Sequence, residues 1–263
     1  MDISYFLIPE HFNSLLAVMV AVAVVVYVAL HFIDAGYGIM YTKRWGPTVN
    51  NKLGWVLMEA PVFIAMCLLW WYSDRRTAVV PLIFFAVFQL HYFQRSFIFP
   101  LLIKGKSRMP LAIILSGITF NLLNALMQGG WIFYVAPEDM YTPDWLFTPQ
   151  FIAGLAIFAA GFAINLNSDN IIRNLRNPGD TRHYIPRGGM FRYVSSANYF
   201  GEFLEWVGFA VLTWSAAGAV FAIWTFANLA PRARKIHRRY AEEFGKEFTD
   251  LHLKRIIPFT TKV

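Results

Sequence analysis

Runs of about 20 apolar residues succeed one another along this chain, each long enough to cross a hydrocarbon core ~30 Å thick. One of them, WVLMEAPVFIAMCLLW at 55–70, is apolar but for Glu59. The pattern predicts an all-α, polytopic membrane protein folded as a single domain over 1–263. Seven spans are expected, at about 13–33, 53–72, 78–102, 110–136, 148–168, 198–214 and 217–230. The last two are short and joined by Ser215-Ala-Ala-Gly218, so 198–230 also reads as a re-entrant pair of helices. The N-terminus, MDISYFLIPEHF, carries Asp2 and Glu10 but no Lys or Arg. A cleaved signal peptide has a basic n-region, so the first run reads instead as a helix of the mature protein.

Charge fixes an expected orientation. Only 15% of residues are charged, against roughly 25% in an average soluble domain, and the net charge is +7. Of the 23 Lys and Arg residues, 20 lie in alternate connections: 43–52, 104–108, 173–192 and after Pro231. Arg75, Arg76 and Arg95 are the rest. The positive-inside rule then places the N-terminus outside and the C-terminus in the cytoplasm. It also explains the positive balance without a nucleic-acid partner; an anionic cofactor is the second explanation.

Single polar residues inside a membrane often only join helices, whereas convergent ionisable ones mark a site. Helical spacing puts Gln89, Tyr92 and Ser96 on one face, with His91 and Arg95 on an adjacent stripe. Asn121, Asn124 and Gln128 share a face, as do Asn165, Asp169, Arg173 and Arg176. Asn198, Glu202 and Glu205 form another group, and His31, Asp34 and Tyr37 end the first span. Familiar site patterns are missing: there is no HExxH, CxxC, GxSxG, Walker A loop or GxGxxG, only Gly188-Gly189 after Pro186. The single cysteine, Cys67, permits no intramolecular disulfide. A polar pocket opening on a basic face suits an anionic, phosphate-bearing cofactor held by helices and loops.

The stretch 165–208, NLNSDNIIRNLRNPGDTRHYIPRGGMFRYVSSANYFGEFLEWVG, resembles the C-terminal signature of the steroid 5α-reductase (3-oxo-5α-steroid 4-dehydrogenase) family. AGYG at 35–38, MEAP at 58–61, HYFQRSF at 91–97, MQGGW at 127–131, HRRYAEEFG at 237–245 and IIPF at 256–259 are family-like in the same order. The resemblance covers nearly the whole chain and reads as a non-mammalian member. It implies seven membrane helices and NADPH bound in the bundle, in a bacterial inner membrane or endoplasmic reticulum. It also implies catalytic roles for Glu59 and Tyr92 on the substrate carbonyl, with Trp55 and Met58 lining the substrate cavity. Cofactor positions implied are Tyr37, Arg95, Lys106, Asn165, Asp169, Arg176, Asn198, Glu202 and Tyr240, with Arg232, His237 and Arg238 as phosphate contacts. No metal is implied. Helices of 1–136 would then serve mainly the substrate, and 137–263 mainly NADPH. Mammalian members have Gln-Glu where this chain has Met58-Glu59, and plant members have Met-Glu. His183-Tyr184 replaces the Tyr-Arg order of the mammalian loop.

The implied reaction reduces the C4–C5 double bond of a 3-oxo-Δ4 steroid. Hydride reaches C5, and negative charge develops on the C3 oxygen, where aimed hydrogen-bond donors stabilise it. Glu59 serves either as a neutral acid donating to that oxygen or as a carboxylate orienting the Tyr92 hydroxyl. Both readings stay open at this point. The substrate is expected to come from the lipid, the cofactor from the cytoplasm, and the protein to act as a monomer among membrane lipids. The alternatives are a reductase of polyprenals or enoyl-CoA, a methyltransferase using S-adenosylmethionine, and a sterol-binding or transport protein.

Overall fold

In hydrocarbon a backbone finds no water to bond, so its N–H and C=O groups must satisfy each other within a helix or closed barrel. The computed structural model, which describes residues 3–34, 36, 45–105, 107–177, 180 and 182–258, is accordingly helical, with one two-stranded ribbon. The long helices are α1 (Pro9–Phe32), α2 (Asn51–Trp71), α3 (Val79–Leu102), α4 (Leu111–Val135), α5 (Pro149–Arg173), α6 (Ala197–Thr213) and α7 (Ala216–Phe244). Among the described residues, α1 to α5 are long and apolar enough to cross a membrane. The ribbon pairs β1 (Thr48–Asn50) antiparallel with β2 (Arg108–Pro110), tying the approach to α2 to the approach to α4.

Local chemistry sets the helix ends. The side chain of Asn50 accepts from Lys52 N–H at 2.9 Å, that of Thr148 from Phe151 N–H at 3.2 Å, and that of Ser215 from Gly218 N–H at 3.0 Å. Trp214 sits in the left-handed region (φ 47°), so 214–215 is a hinge between two helices. The helix α7 outruns its expected end at 230. It continues through the buried Pro231 to Phe244, where Gly245 (φ 55°) stops it. Proline removes one helical hydrogen bond, and the helix carries on because its apolar face stays packed. Two helices also loosen into π-turns, at Gln94–Ile98 in α3 and Trp131–Val135 in α4. Arg95 and Ser96 lie in the first of these turns, just past the regular α-helix that carries His91 and Tyr92.

The tightest packing is between α5 and α6. Gly154 and Gly161 on α5 face Gly208 and Gly201 on α6, so the two backbones touch directly. A Cβ on Gly161 would lie 2.3 Å from the Glu205 nitrogen, and one on Gly208 2.3 Å from the Phe158 nitrogen. Small residues that let helices approach this closely are a main means of association where no hydrophobic drive exists. Around this seam Phe84, Phe88, Phe158, Trp206 and Phe209 form the fully buried aromatic core. On the far side α7 leans on α1, and Trp224 Nε1 donates to the Met19 carbonyl at 2.6 Å.

Candidate active site

A cavity of about 1,370 Å³ opens within the bundle. Its volume exceeds the ~300–1,000 Å³ of an ordinary ligand pocket and leaves room for two molecules side by side. Apolar groups of α1 and α4, among them Val26, Leu30, Ile113 and Phe120, form one stretch of wall. Lys104, Arg173, Arg176 and Arg232 bring positive charge to another.

Of the residues singled out in the sequence, Trp55, Met58, Glu59, Tyr92, Arg95, Asp169, Arg176, Asn198, Glu202, Arg232 and Tyr240 all line this cavity. They come from five helices and the connection after α5. Glu59 and Tyr92 do not bond each other directly; each is held by an asparagine of α4. Asn121 Nδ2 donates to Glu59 Oε2 at 3.1 Å and to the Met58 carbonyl at 2.7 Å. Asn124 Nδ2 donates to the Tyr92 hydroxyl oxygen at 2.9 Å. The face Asn121–Asn124–Gln128, read from spacing alone as polar, is thus a rail carrying both groups.

Arg95 is the charge centre. Its guanidinium donates to Asp169 at 3.1 Å and to Glu202 at 3.4 Å. It also lies over the rings of Trp55 (4.6 Å) and Phe99 (4.5 Å), so its charge is met by two carboxylates and two π faces. Beside it His91 Nδ1 and Glu205 Oε1 are 2.8 Å apart, both buried. This ion-pair cluster inside a membrane bundle costs desolvation, and its geometry offsets that only when every partner is present. Asn165 is buried behind the wall; its Nδ2 donates to the Asn198 carbonyl at 3.0 Å, so it supports the site through α6.

The connection 182–195 and the chain after α7 lock together over the basic end. Ser195 N–H donates to the Lys254 carbonyl and Lys254 N–H to that of Tyr193, at 2.8 and 2.9 Å. His183 meets Glu243 at 2.8 Å, and Ile185, Tyr240 and Phe248 share a small apolar core. That gives the unusual His183-Tyr184 order a place: His183 fastens the connection to α7, while the Tyr184 hydroxyl donates to Asp180. Hydrogen bonds from Arg182 and Tyr184 hold the Asp180 carboxyl well below the usual range. Burial pushes the Tyr240 phenol up to about 12, so it faces the cavity as a neutral donor. Burial lowers the His237 imidazole, and the Arg255 charge adds to this.

Two expected phosphate contacts stand apart from the wall. His237 reaches Ser195 Oγ at 3.0 Å, and Ser195 lines the cavity. Arg238 projects to the outside and pairs with Glu242 one turn along its own helix, so it does not reach the cavity. Tyr37 and Lys106 lie outside the described residues. Residues not singled out by spacing include Tyr199, over whose ring Arg232 sits at 5.2 Å, and Trp206, which packs 4.6 Å from His91. Their aromatic identity among many aromatic residues gave no signal; only the packing does.

Comparison with known proteins points the same way. A family model described as 3-oxo-5-alpha-steroid 4-dehydrogenase matches residues 107–260. The chain is 39% identical over 246 residues to 3-oxo-5-alpha-steroid 4-dehydrogenase 1 of Mus musculus, covering 90% of this chain and 92% of that one. It is 37% identical over 238 residues to steroid 5-alpha-reductase DET2 of Arabidopsis thaliana, covering 88% and 90%. Against 3-oxo-5-alpha-steroid 4-dehydrogenase 1 of Homo sapiens the identity is 40% over 214 residues, 80% of each chain.

Proposed function

The chain belongs to the 3-oxo-5-alpha-steroid 4-dehydrogenase family, and from that membership we propose that it reduces the C4–C5 double bond of a 3-oxo-Δ4 steroid with NADPH. The observation that carries this reading is convergence. Two polar groups suited to gripping a carbonyl, Glu59 and Tyr92, share one cavity with a cluster of arginines and carboxylates.

The residues present fit a nicotinamide nucleotide. Lys104, Arg173, Arg176 and Arg232 offer cationic donors for phosphates, and Asp169, Glu202 and Asn198 offer acceptors for ribose and amide groups. When bound, the nucleotide supplies the hydride that reaches C5. What the chain supplies is everything around that event. Glu59 and Tyr92 hold the C3 oxygen and stabilise the enolate charge that develops on it. Arg95, pinned by Asp169 and Glu202, fixes the boundary between the steroid arm and the nucleotide arm. The connection 182–195 and the chain after α7 keep water from the reacting carbons.

The proposal extends to the arrangement in the membrane. Seven helices span it, with the N-terminus outside and the C-terminus and basic loops in the cytoplasm. NADPH arrives from the aqueous basic face, and the steroid from the lipid through the apolar wall. Residues 1–136 serve mainly the steroid and 137–263 mainly the nucleotide, in a monomer that works alone within the bilayer.

The experiment is direct. Purified protein in lipid nanodiscs is given NADPH with progesterone- and testosterone-like 3-oxo-Δ4 steroids, and in parallel with polyprenals and enoyl thioesters. Loss of nucleotide absorbance with the steroids and formation of 5α-reduced product are expected. Nucleotide consumption with a polyprenal or thioester only would overturn the substrate reading, and none with any enone would overturn the reaction.

A further inference from the structure

We infer that Asn124 and Gln128 are positioning residues that aim the proton of the Tyr92 hydroxyl into the cavity, toward the substrate carbonyl; this rests on the enone reduction proposed above. The argument depends on which atom of each amide is nitrogen, and a backbone carbonyl decides that. One terminal atom of the Gln128 amide lies 2.9 Å from the carbonyl oxygen of Ala217, which can only accept. That atom is therefore Nε2. It also lies 3.3 Å from one terminal atom of Asn124, which must then be Oδ1. The other, Nδ2, faces the Tyr92 oxygen at 2.9 Å and can only donate.

The consequence falls on the phenol. With a lone pair of its oxygen taken by Asn124, the hydroxyl must send its proton elsewhere. Among the described residues the hydroxyl makes no hydrogen bond besides the one from Asn124, and Tyr92 borders the cavity while only 3% exposed. The proton is left for a ligand. A flipped Asn124 would accept that proton itself and cancel the donor, and the Ala217 carbonyl forbids the flip by holding Gln128 in register. Donation into the phenol oxygen also polarises the O–H bond, so the chain Gln128–Asn124–Tyr92 strengthens the last donor. All three side chains are buried, so the two links between them are shielded from solvent.

The arrangement spans three helices: α7 anchors the carbonyl at Ala217, α4 carries the two amides, and α3 carries the phenol. Asn121 obeys the same logic toward Glu59, since its Nδ2 is fixed by the Met58 carbonyl. On α4, then, one asparagine serves the carboxyl and the next, three residues on, serves the phenol.

The test is a double-mutant cycle on steroid reduction, with Asn124→Asp, which offers acceptors where a donor stood. In the wild-type background kcat/KM should fall about 10²–10³-fold, the loss typical of removing one oxyanion donor. In the Tyr92→Phe background the same substitution should change kcat/KM by less than about threefold, because there is no proton left to misdirect. NADPH titration should be unchanged in both. The infrared carbonyl stretch of a bound 3-oxo-5α-steroid should move to higher frequency in Asn124→Asp, as in Tyr92→Phe. An equal loss in both backgrounds would mean a structural role, and no loss in either would mean no role; each overturns the inference. Should Asn124→Asp not fold, Gln128→Leu tests the outer link, with about tenfold loss expected in wild type and none in Tyr92→Phe. A fully active Tyr92→Phe single variant, by contrast, would sink the enone reading itself.

Discussion

The α5–α6 seam makes a quantitative demand on Gly161. An alanine Cβ there would sit 2.3 Å from the Glu205 nitrogen, 2.7 Å from its Cα and 2.7 Å from the Gly201 carbonyl oxygen. Ordinary contacts begin at 3.4 Å, so the helices must part by about 1 Å. No rotamer change relieves this, because all three atoms are backbone. Overpacking of this kind costs about 1–3 kcal/mol, and direct backbone collision belongs at the upper end. Against it, replacing glycine by alanine within a helix returns about 1 kcal/mol. Gly161→Ala should therefore destabilise by about 2 kcal/mol, a fall of roughly 4–8 °C in Tm for a chain of this size. The assay is thermal unfolding in detergent, with and without NADPH. The Asn165–Asn198 hydrogen bond lies one turn along the same seam, so nucleotide binding should weaken as well. Gly208→Ala opens the same interface, and the pair combined should cost less than the sum. A Gly161→Ala protein as stable as wild type, or more stable as helix propensity alone predicts, would refute the seam.

Other positions separate the arms of the site. Gly117→Ala meets only the flexible Met58 side chain, at 2.3 Å from Cγ, so stability should hold while the steroid KM rises several-fold as Met58 is pushed into the cavity. Glu59→Gln and Tyr92→Phe should each lower kcat by about 10²-fold or more while NADPH still binds by titration. Asn198→Ala or Glu202→Ala should raise the NADPH Kd about tenfold or more, the second also freeing Arg95 from one of its carboxylates. His237 carries the pH prediction. Its folded value is lowered, so the unfolded chain binds more protons once pH drops below about 6.5. The stability it contributes is complete above that point and is lost as pH falls through the lowered value. Proteolysis of the segment after α7 should quicken between pH 7 and 5 in wild type, and His237→Gln should flatten the profile.

Helix positions were legible because hydrocarbon imposes one rule everywhere. Each expected span contains a helix of the structure, displaced by a few residues at most ends. The exceptions have causes that span length does not encode. The helix α7 passes 230 because Pro231 faces the core, where packing holds the helix together. The π-turn at Gln94–Ile98 leaves no mark in a polar pattern read at regular spacing. The glycine seam was in plain view, at 154 and 161 and again at 201 and 208, a spacing of seven on each helix. Polar residues stand out within an apolar span, while glycines carry meaning only when two helices are known to face each other. Arg238 shows the converse: its place inside the family-like motif at 237–245 implies a phosphate contact, but helical rotation turns it outward to Glu242.

The amides of α4 join these two kinds of legibility. Spacing placed Asn121, Asn124 and Gln128 on one face and could say no more, since an interhelical bond and a working donor look alike in sequence. What separates them is the direction of donation, and direction is decided by backbone carbonyls of other elements, Met58 on α2 and Ala217 on α7. A carbonyl oxygen has no donor role to exchange, so a bond anchored there propagates a fixed polarity down every amide attached to it. Glu59 and Tyr92 lie at the free ends of two such anchored chains. In a low-dielectric bundle, where a wrongly turned amide would face like against like, this polarity is enforced by the cost of the alternative. On the proposed reaction the Tyr92 donor is thereby aimed before any substrate arrives, which is the condition for stabilising a charge that exists only during the reaction.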